Sequence, residues 1–436
     1  MYMVLTNIAI QQIPTDEFPN RKKLLSIPFL SSYDGTSSWD DLTQTMSIVL
    51  PKKVKVRYNI WQGVPFASDA VLQSGYLDLS KTEGQQSNIG GFEAVEPILL
   101  RGDLITFNVG YRTKVNGKET TYMTGTDYAG AAIPPLFKGY ISKVNPKLPF
   151  TIECEDNMWL LKQIPTPAKQ WGNMTLQAIV STILKNAQSL PLIQRYNGYV
   201  NLTVSDFSLT DLVFNVGSFI TIRGSLCQLL ARIKSEYHID SYFRGDELRI
   251  GYTHYVPEDA VEHNFEFQKN IIDDKLLWQR KDDHVLSCIV RSHYRVVEGG
   301  TTLDGAAKSK QQSTEVLVYN DTAGNFTYSK KEKGKDYETA SLNDIGERFT
   351  LNIYSAIADP NKLFEMGKTL LKKYYYDGFK GSFTTFAIPY VKHGDTISIT
   401  DRSLPERNGR YKVKRVRYFG SFGGGYRQEI TLDYKI

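Results

Sequence analysis

The feature that most constrains the fold is a set of three strand-like segments that occurs twice in the same order. Each set begins with Gly-Asp and a run of alternating apolar residues, at Gly102-Asp103 and again at Gly394-Asp395. Alternation with a period of two is the pattern of a half-buried strand. A lysine-bearing strand and a closing strand then follow, at 137–141 and 150–154 in the first set and at 411–416 and 429–433 in the second. The repetition predicts a duplicated β-domain.

The first set ends where the period of the sequence changes. Phe150, Ile152 and Cys154 alternate, whereas the apolar residues from Met158 onward suit a short helix. Asp156 precedes that helix and is placed to accept hydrogen bonds from its free N–H groups. Pro165 is expected to end the helix soon afterwards. We therefore predict a strand that runs directly into a capped helix and closes the first β-domain.

The middle of the chain alternates between helix and strand signals. Thr175 and Ser225 are each followed by an amphipathic helix, and a hairpin over 238–250 follows the second one. Asp359-Pro360 starts a further helix, because proline is favoured in the first turn. We interpret 81–95 as an exposed loop, and 298–335 as loops around a single strand at 315–319.

Composition favours a β-rich protein of two to four domains. The 436 residues include 27 Tyr and 21 Phe, which suit pleated, half-buried surfaces. The three cysteines lie in apolar runs, which predicts buried free thiols and folding in the cytoplasm. We interpret residues 1–13 as a strand rather than a signal peptide, because they carry no basic leader. No run approaches the roughly 20 apolar residues that span a bilayer, so no membrane span is expected.

Charge is distributed unevenly along the chain. From Pro360 onward there are 15 Lys and Arg against 7 Asp and Glu, so this part carries net +8 and the rest carries net −3. Such a basic terminal region suits docking on an acidic partner surface. Basic residues on solvent-exposed strand faces explain the same excess of positive charge equally well.

No arrangement of residues indicates catalysis or a cofactor. His284 and Cys288 stand four apart on a predicted strand, with no second pair to complete a metal site. Gly423-Gly424-Gly425 lacks the lysine of a phosphate-binding loop and suits a hairpin tip. Glu153, Glu155 and Asp156 have structural explanations as strand-face and cap residues. The sequence therefore predicts no catalytic residues, no metal and no cofactor.

Two stretches carry a resemblance to a known family. Residues 136–162 contain Phe-Lys-Gly-Tyr-Ile, a Pro-flanked strand and Cys-Glu-Asp-x-Met-x-x-Leu-Lys. Residues 37–43 read Ser-Ser-Trp-Asp-Asp-Leu-Thr and are followed by the strand-like run 47–53. This pattern resembles baseplate hub proteins of contractile-tailed phages and related injection machines, alongside late control gene D proteins and valine-glycine-repeat spike proteins.

The resemblance implies a β-rich α+β fold with two related β-barrel tube domains and intervening α/β regions. The expected ranges are 1–160 for the first tube β-domain and 161–270 for a middle α/β domain. The second tube β-domain is expected at 271–297 and 377–436, with inserted loops and a helix at 298–376. The residues expected to matter structurally are Gly102, Asp103, Gly139, Asp156, Gly394 and Asp395.

The resemblance also implies a role as a structural protein rather than an enzyme. In that family, three chains form a ring that adapts a hexameric tail tube to a trimeric spike. The expected partners are two further copies, a tail tube protein, other baseplate proteins and a spike that forms a separate chain. DNA or a tape-measure protein would pass through the channel of a virion tail or injection particle assembled in the cytoplasm. A β-rich carbohydrate-binding surface protein is the alternative, and a cell-wall hydrolase comes third.

Two local expectations concern the backbone. Gly139 and Gly394 are expected in tight or close-packed sites of equivalent β-domains. Tyr411 and Val413 share one parity of the strand at 410–418, whereas Val416 and Tyr418 share the other. One extra residue near Lys414-Arg415 is therefore needed to keep all four on the buried face, which predicts a β-bulge.

Overall fold

The computed structural model describes most of the chain. The described ranges are 2–51, 53–60, 73–78, 97–115, 118–128, 131–145, 147, 149–171, 174–196, 202–206, 213–214, 219–237, 239–251, 260–281, 284–301, 307–320, 325–331, 347–355 and 359–436. The loop expected at 81–95 lies outside them, as do Asn116 and Gly117, for which the Asn-Gly sequence predicts a hairpin turn.

The N-terminal part is built from strands. Val54 and Val56 are buried while Lys55 and Arg57 are exposed, so the alternation in the sequence becomes one core face and one solvent face. The strands are β1 (Tyr2–Gln11), β2 (Lys23–Ile27), β3 (Ser32–Ser38), β4 (Thr45–Leu50), β5 (Lys53–Ile60), β6 (Gln73–Asp78), β7 (Leu104–Val115), β8 (Lys118–Met123), β9 (Asp127–Tyr128), β10 (Ala131–Ala132), β11 (Phe137–Asn145) and β12 (Phe150–Glu155).

The middle part combines helices with short ribbons. Ser225 and Gln228 form a reciprocal capping box, in which each side chain accepts a hydrogen bond from the backbone N–H of the other, at 3.2 and 2.9 Å. The elements are α1 (Met158–Leu161), β13 (Pro165–Thr166), β14 (Lys169–Trp171), β15 (Met174–Thr175), α2 (Leu176–Ala187), α3 (Pro191–Gln194), β16 (Thr203–Asp206), β17 (Val213–Phe214), β18 (Phe219–Thr221), β19 (Gly224–Ser225), α4 (Leu226–Tyr237), β20 (Asp240–Arg244) and β21 (Glu247–Gly251).

The C-terminal part returns to strands around one helix. Asp359 caps this helix by accepting a 2.9 Å hydrogen bond from the Asn361 N–H, and Pro360 is its first residue, as expected. The elements are β22 (Glu262–Glu266), β23 (Ile271–Gln279), β24 (His284–Thr301), β25 (Ala307–Asn320), β26 (Phe326–Lys330), β27 (Glu347–Ser355), α5 (Pro360–Lys372), β28 (Gly378–Phe386), β29 (Thr396–Thr400), β30 (Gly409–Ser421) and β31 (Gly425–Lys435).

Strands from both ends of the chain form one hydrogen-bonded sheet. Its main path runs β23-β28-β31-β30-β3-β4-β12-β11-β7-β1-β2-β5-β6, with β8 beside β7 and β29 joining β30 to β22. The largest hydrophobic core lies against this sheet, and a second core surrounds α1, α2 and α4. The protein is thus β-rich α+β, as expected. Within the described residues, no helix is long and apolar enough to cross a membrane.

The sheet contains the same five-strand order twice. β3-β4-β12-β11-β7 and β23-β28-β31-β30-β29 are each antiparallel throughout. We call these two sets the first and second repeat. In each, one extra residue bulges out of the central strand, Ser142 in β11 and Lys414 in β30, so the predicted bulge is confirmed. The flanks differ, because β1 is antiparallel to β7 whereas β22 is parallel to β29.

The register corrects the expected alignment of the two sets. Counting from the Gly-Asp turns, Gly139 rather than Phe137 corresponds to Tyr411, and Ile152 corresponds to Ile430 rather than Thr431. Side-chain identity matches lysine with lysine, whereas strand pairing fixes position by distance from the turn. The repeat is also longer than expected, since β3, β4, β23 and β28 belong to it.

The two repeats join by direct strand pairing between β3 and β30. Seven residue pairs run from Ser32–Ser421 to Ser38–Arg415. Arg417 binds both carboxylate oxygens of Asp34, and Lys414 lies 3.0 Å from the Asp40 carboxylate. The basic C-terminal strand is therefore matched within the chain by acidic residues near β3. This favours the solvated-face explanation of the terminal charge over docking on an acidic partner.

Sheet membership differs from the expected ranges in two places. β22 lies within the expected middle domain but pairs with β29, and β24 pairs only with β25 and β27 among the described residues. The expectation of loops around one strand at 298–335 is wrong, because β24 and β25 form a long hairpin continued by β26. One part of this hairpin packs against α5 through four buried residues, Cys288, Val290, Val316 and Val318. The sequence beyond them lacks the apolar alternation that makes strands recognisable.

Tyr111 provides a specific test of how the two repeats are joined. Its buried hydroxyl donates to the Tyr426 carbonyl and accepts a 3.0 Å hydrogen bond from the Tyr426 N–H. Tyr111→Phe removes this partner from the Tyr426 N–H and leaves the Tyr426 carbonyl with the 3.1 Å hydrogen bond from Arg427. We therefore expect a loss of about 1–3 kcal/mol of stability and a lower melting temperature. The control is Tyr328→Phe, whose hydroxyl contacts Asn361 on an exposed surface. Equal melting temperatures for the two variants would contradict this role.

Candidate functional site: two buried glycine–aspartate turns

The Gly-Asp turns of the two repeats have the same backbone geometry. Gly102 and Gly394 adopt φ of +95° and +83°, in the left-handed region that glycine enters without a Cβ penalty. Their N–H groups donate to the central strand, at Ile141 (2.8 Å) and Val413 (2.9 Å). Those residues donate back to the carbonyls of Asp103 and Asp395, each at 2.9 Å. Each turn therefore fixes the register between the first and central strands of its repeat.

Both aspartate side chains are buried and use matching backbone donors. Asp103 is 1% exposed and accepts from the N–H groups of Leu100 (2.8 Å) and Ile13 (3.0 Å). Asp395 is 3% exposed and accepts from Lys392 (2.8 Å) and Val261 (3.3 Å). A buried carboxylate requires such partners, because isolated burial of a charge is strongly unfavourable. The four residues Gly102, Asp103, Gly394 and Asp395 thus occupy equivalent structural sites.

The cationic partners of the two aspartates differ. Arg21, itself fully buried, binds both oxygens of Asp103, at 2.9 and 2.5 Å. At Asp395, Arg244 binds one carboxylate oxygen at 2.9 Å and His263 binds the other at 3.1 Å. Burial opposes ionisation of Asp395, but the hydrogen bond from His263 and the charge of Arg244 outweigh it and lower its pKa. Sequence analysis missed these partners, because nothing in the sequence links positions so far apart.

Arg244 also reveals a connection between the repeats through the middle region. It lies at the end of β20 and donates to the His393 carbonyl at 2.9 Å, next to the second turn. One residue further on, the β20–β21 turn reaches the first repeat, where Asn157 donates to the Gly245 carbonyl at 3.1 Å. Lys138 of β11 lies 2.6 Å from the Asp246 carboxylate. The β20–β21 hairpin therefore contacts both repeats.

Gly139 is required by close packing and not by its φ. A Cβ at this position would overlap the carbonyl oxygen of Glu155 and lie 2.9 Å from Cα of Asp156. Both are backbone atoms that cannot rotate away. The expected tight site at Gly139 is therefore present, where β11 crosses the end of β12.

Asp156 lies at the transition from strand to helix, with a cap geometry that differs from the expected one. The N-cap position is Asn157, which makes no side-chain cap bond, while Asp156 Oδ1 accepts from the Met158 N–H at 3.1 Å. Its other oxygen is buried and has no hydrogen-bond partner. Burial is the main cause that raises the pKa of Asp156, to about 7. The carboxyl group thus holds its proton at far higher pH than an exposed aspartate.

Equivalent positions on the two central strands have diverged in chemistry. Tyr140 is fully buried and stacks on Trp159, with ring centroids 4.8 Å apart. Its counterpart by register, Lys412, is 1% exposed and lies 5.8 Å from the rings of Trp39 and Tyr434. Burial lowers the pKa of Lys412 to about 7. Nothing in the sequence marked this lysine as buried, because it lies on the strand face opposite Tyr411 and Val413, and here both faces of β30 are covered.

The described residues bear on three further chemistries, namely metal binding, thiol reactivity and stacking on aromatic rings. Within them, no cluster of three His, Cys, Asp or Glu side chains is placed to hold a metal. Burial raises the pKa values of the Cys154, Cys227 and Cys288 thiols, in keeping with the expected inert free cysteines. A groove of about 350 Å³ lies over the β3–β30 junction. Its aromatic lining is Phe419 and the 4%-exposed Tyr33, with no tryptophan.

Comparison with known proteins identifies a shared fold. No protein-family model matches the sequence, and no curated protein is significantly similar to it. The structure of the tail protein from Neisseria meningitidis MC58 matches with a TM-score of 0.50 and 12% identity, over 99% of this chain and 96% of that chain. The expected likeness to tail proteins is therefore confirmed at the level of the fold.

Two further solved structures match over most of this chain. The 43 kDa tail protein of prophage MuSo2 from Shewanella oneidensis has 11% identity and a TM-score of 0.48, over 98% and 97% of the two chains. An E. coli component of the type VI secretion system, described as structurally similar to T4 bacteriophage tail proteins, has 8% identity and a TM-score of 0.37, over 93% of this chain and 73% of that chain.

The two glycine requirements have different physical origins and predict different tolerances. Gly394→Asn is expected to fold with a small loss in melting temperature, because asparagine tolerates the left-handed region. Gly394→Val should be strongly destabilised, since a β-branched residue resists positive φ. Gly139→Ala should be destabilised despite its small size, because its Cβ meets backbone atoms. Thermal melts of the three variants test this, and an unchanged Gly139→Ala would contradict the close-packing argument.

The raised pKa of Asp156 predicts a pH-dependent effect of Asp156→Asn. The unfolded chain loses this proton near the ordinary value of 3.8, whereas the folded chain holds it up to about pH 7. Ionisation therefore costs the wild type stability increasingly as the pH rises from about 4 to 7. We expect the melting temperature of Asp156→Asn, relative to wild type, to rise between pH 5 and pH 8. Glu406→Gln, at an exposed acid, is the control, and a pH-independent difference would disprove the argument.

Proposed function

We propose that this protein is a structural hub of a phage tail or related injection particle. Three copies would form a ring that adapts a hexameric tail tube to a trimeric spike. The observation that carries the proposal is the duplicated five-strand order within one chain, with matching Gly-Asp turns. The fold shared with a tail protein supports it.

The duplication offers a direct solution to a mismatch of symmetry. A ring of three identical chains has three-fold symmetry, yet each chain contributes two similar repeats. Six repeats then surround the axis and can meet six tube subunits in similar ways. The divergent features of the chain occur once per copy, so they can meet a three-fold spike. The first repeat belongs to a proposed domain near 1–160, and the second consists of strands within 271–279 and 378–435.

The proposed location determines the proposed partners. The ring would contact a tail tube protein on one face, a separate spike protein on the other and further baseplate proteins around it. DNA or a tape-measure protein would pass along the axis. We propose assembly in the cytoplasm, with no cofactor. A passive role of this kind requires ordered strands and tight turns, and the residues singled out in the two turns supply these.

The competing functions have less support in the structure. A carbohydrate-binding protein stacks sugars on exposed aromatic rings in a cleft, but among the described residues Trp39, Trp159 and Trp171 are buried and Trp278 is half-buried. None of the exposed aromatic side chains in this described part of the chain lines the groove over the β3–β30 junction; they are Phe29, Tyr328, Tyr374, Phe386 and Phe422. A cell-wall hydrolase needs an accessible pair of acidic groups. Glu153 instead lies beside Lys143, and Glu155 beside Lys162, on the open face of the sheet.

The copy number of the assembled particle tests the proposal. We expect three copies per ring when the purified chain is measured by mass photometry, alone or with candidate tube and spike proteins. Electron microscopy should then show six similar lobes with only three-fold exact symmetry. Gly394→Val, which disrupts one turn per chain, should abolish the ring, whereas Gly394→Asn should retain it. Six copies per ring, or a monomer in the presence of both partners, would overturn the proposal.

A further inference from the structure

One edge of the sheet in the second repeat lacks a neighbour that its counterpart in the first repeat has. β3 and β23 are the outer strands of equivalent sets, and each pairs with the next strand inward, β4 or β28. The other edge of β3 is covered by β30. Among the described residues, nothing pairs with the other edge of β23. This strand carries Leu277, which is 73% exposed.

A matching open edge lies on the central strand of the first repeat. In the second repeat, β30 pairs with β29 through its first residues and with β3 from Arg415 onward. In the first repeat, β11 pairs with β7 only from Phe137 to Tyr140. Beyond the bulge at Ser142, the same edge of Lys143, Val144 and Asn145 has no strand beside it within the described part of the chain.

We propose that these two edges bind each other between copies, so that β23 of one chain pairs antiparallel with the end of β11 of the next. The contact would repeat, between chains, the β3–β30 pairing seen within the chain. It rests on the proposed ring of three, and it names the surfaces that close that ring. Exposed edge strands are natural templates for another strand. A head-to-tail contact of two different surfaces generates a ring when its rotation closes, as it does after three copies in the proposed ring.

The internal contact also fixes the register of the proposed one. Thr36, Ser37 and Ser38 pair with Arg417, Val416 and Arg415 in the observed ladder. By their positions on β28, Leu277, Trp278 and Gln279 are the equivalents of Thr36, Ser37 and Ser38. By their positions opposite the closing strands, Asn145, Val144 and Lys143 are the equivalents of Arg417, Val416 and Arg415. Leu277 is therefore expected opposite Asn145 of the next copy, and Trp278 opposite Val144.

The side chains on the two edges suit such a contact. Leu277 would lose most of its exposed apolar surface, which favours association. Trp278 and Val144 are both half-buried and would be covered together. Lys275, the counterpart of Asp34, lies 3.6 Å from Glu429 of its own chain. The proposed contact therefore rests on backbone pairing and apolar burial rather than on the ion pair that links Asp34 to Arg417.

Disulfide trapping tests the register directly. Directly opposed residues of a ladder have Cα atoms about 4.5–5.5 Å apart, which suits a disulfide. The full chain carrying Leu277→Cys and Asn145→Cys should, on mild oxidation, give covalent dimers and trimers on a non-reducing gel. Each single variant should stay monomeric on the gel, because the native cysteines are buried. The matched control pairs Leu277→Cys with Lys138→Cys, which lies on the part of β11 already paired with β7.

The possible outcomes separate this inference from the proposed function. Covalent trimers from the double variant alone support both. A three-copy ring that gives no Leu277–Asn145 cross-link would overturn the inference and leave the proposed function standing. Cross-linking that stops at dimers would indicate a two-fold contact and overturn the inference as well. A chain that neither assembles nor cross-links, with the tube and spike proteins present, would count against both.

Discussion

The architecture depends on the need of a buried carboxylate for hydrogen-bond partners. Asp103 and Asp395 each gather two backbone N–H groups from separate segments, and each adds cationic partners from further away in the sequence. Satisfying that carboxylate brings the first strand of a repeat, the segment before it and a distant arginine to one point. Removing a partner would leave a buried charge exposed to a low dielectric, which is far more costly than losing an average hydrogen bond. The same requirement, met twice, gives the chain two repeats of matching register.

The contact between the two repeats is stabilised by different interactions from those in the Gly-Asp turns. The β3–β30 ladder makes one sheet of the two repeats, and its ion pairs are half-exposed, so each contributes little. The relative position of the two repeats is instead fixed by buried tyrosine hydroxyls that accept hydrogen bonds from backbone N–H groups of the other repeat region. Tyr111 accepts from Tyr426 in this way, and Tyr122 accepts from Tyr390. Many tyrosines serve here because an aromatic body fills the core while one polar atom reaches a backbone partner.

The sequence predicted the local features well and the long-range partners poorly. The helix after Ser225, the helix that begins at Pro360 and the bulge in β30 were all predictable, because a cap, a proline or a change of parity marks each of them. The partners of Asp395 were not, since Arg244 and His263 lie far from it in sequence and on separate elements. Side-chain identity also misled the alignment of the repeats by one or two residues. Strands were predicted at 284–297 and 315–319, but the rest of the long β24–β25 hairpin was not, because it carries no apolar alternation.

If three chains form the proposed ring, its two symmetries require the two repeats to be similar in some features and different in others. Similar backbones allow six similar contacts, but identical side chains would offer a spike no three-fold feature to bind. In this chain the shared part of the duplication is the turn and its register, while the buried partners differ. Arg21 serves one aspartate and an arginine–histidine pair serves the other, and Tyr140 is replaced by Lys412. In the proposed ring, the matching backbones would give six similar contacts, and the differing side chains would occur three times. The two turns keep one register because backbone hydrogen bonds, which every residue but proline can form, hold both of them.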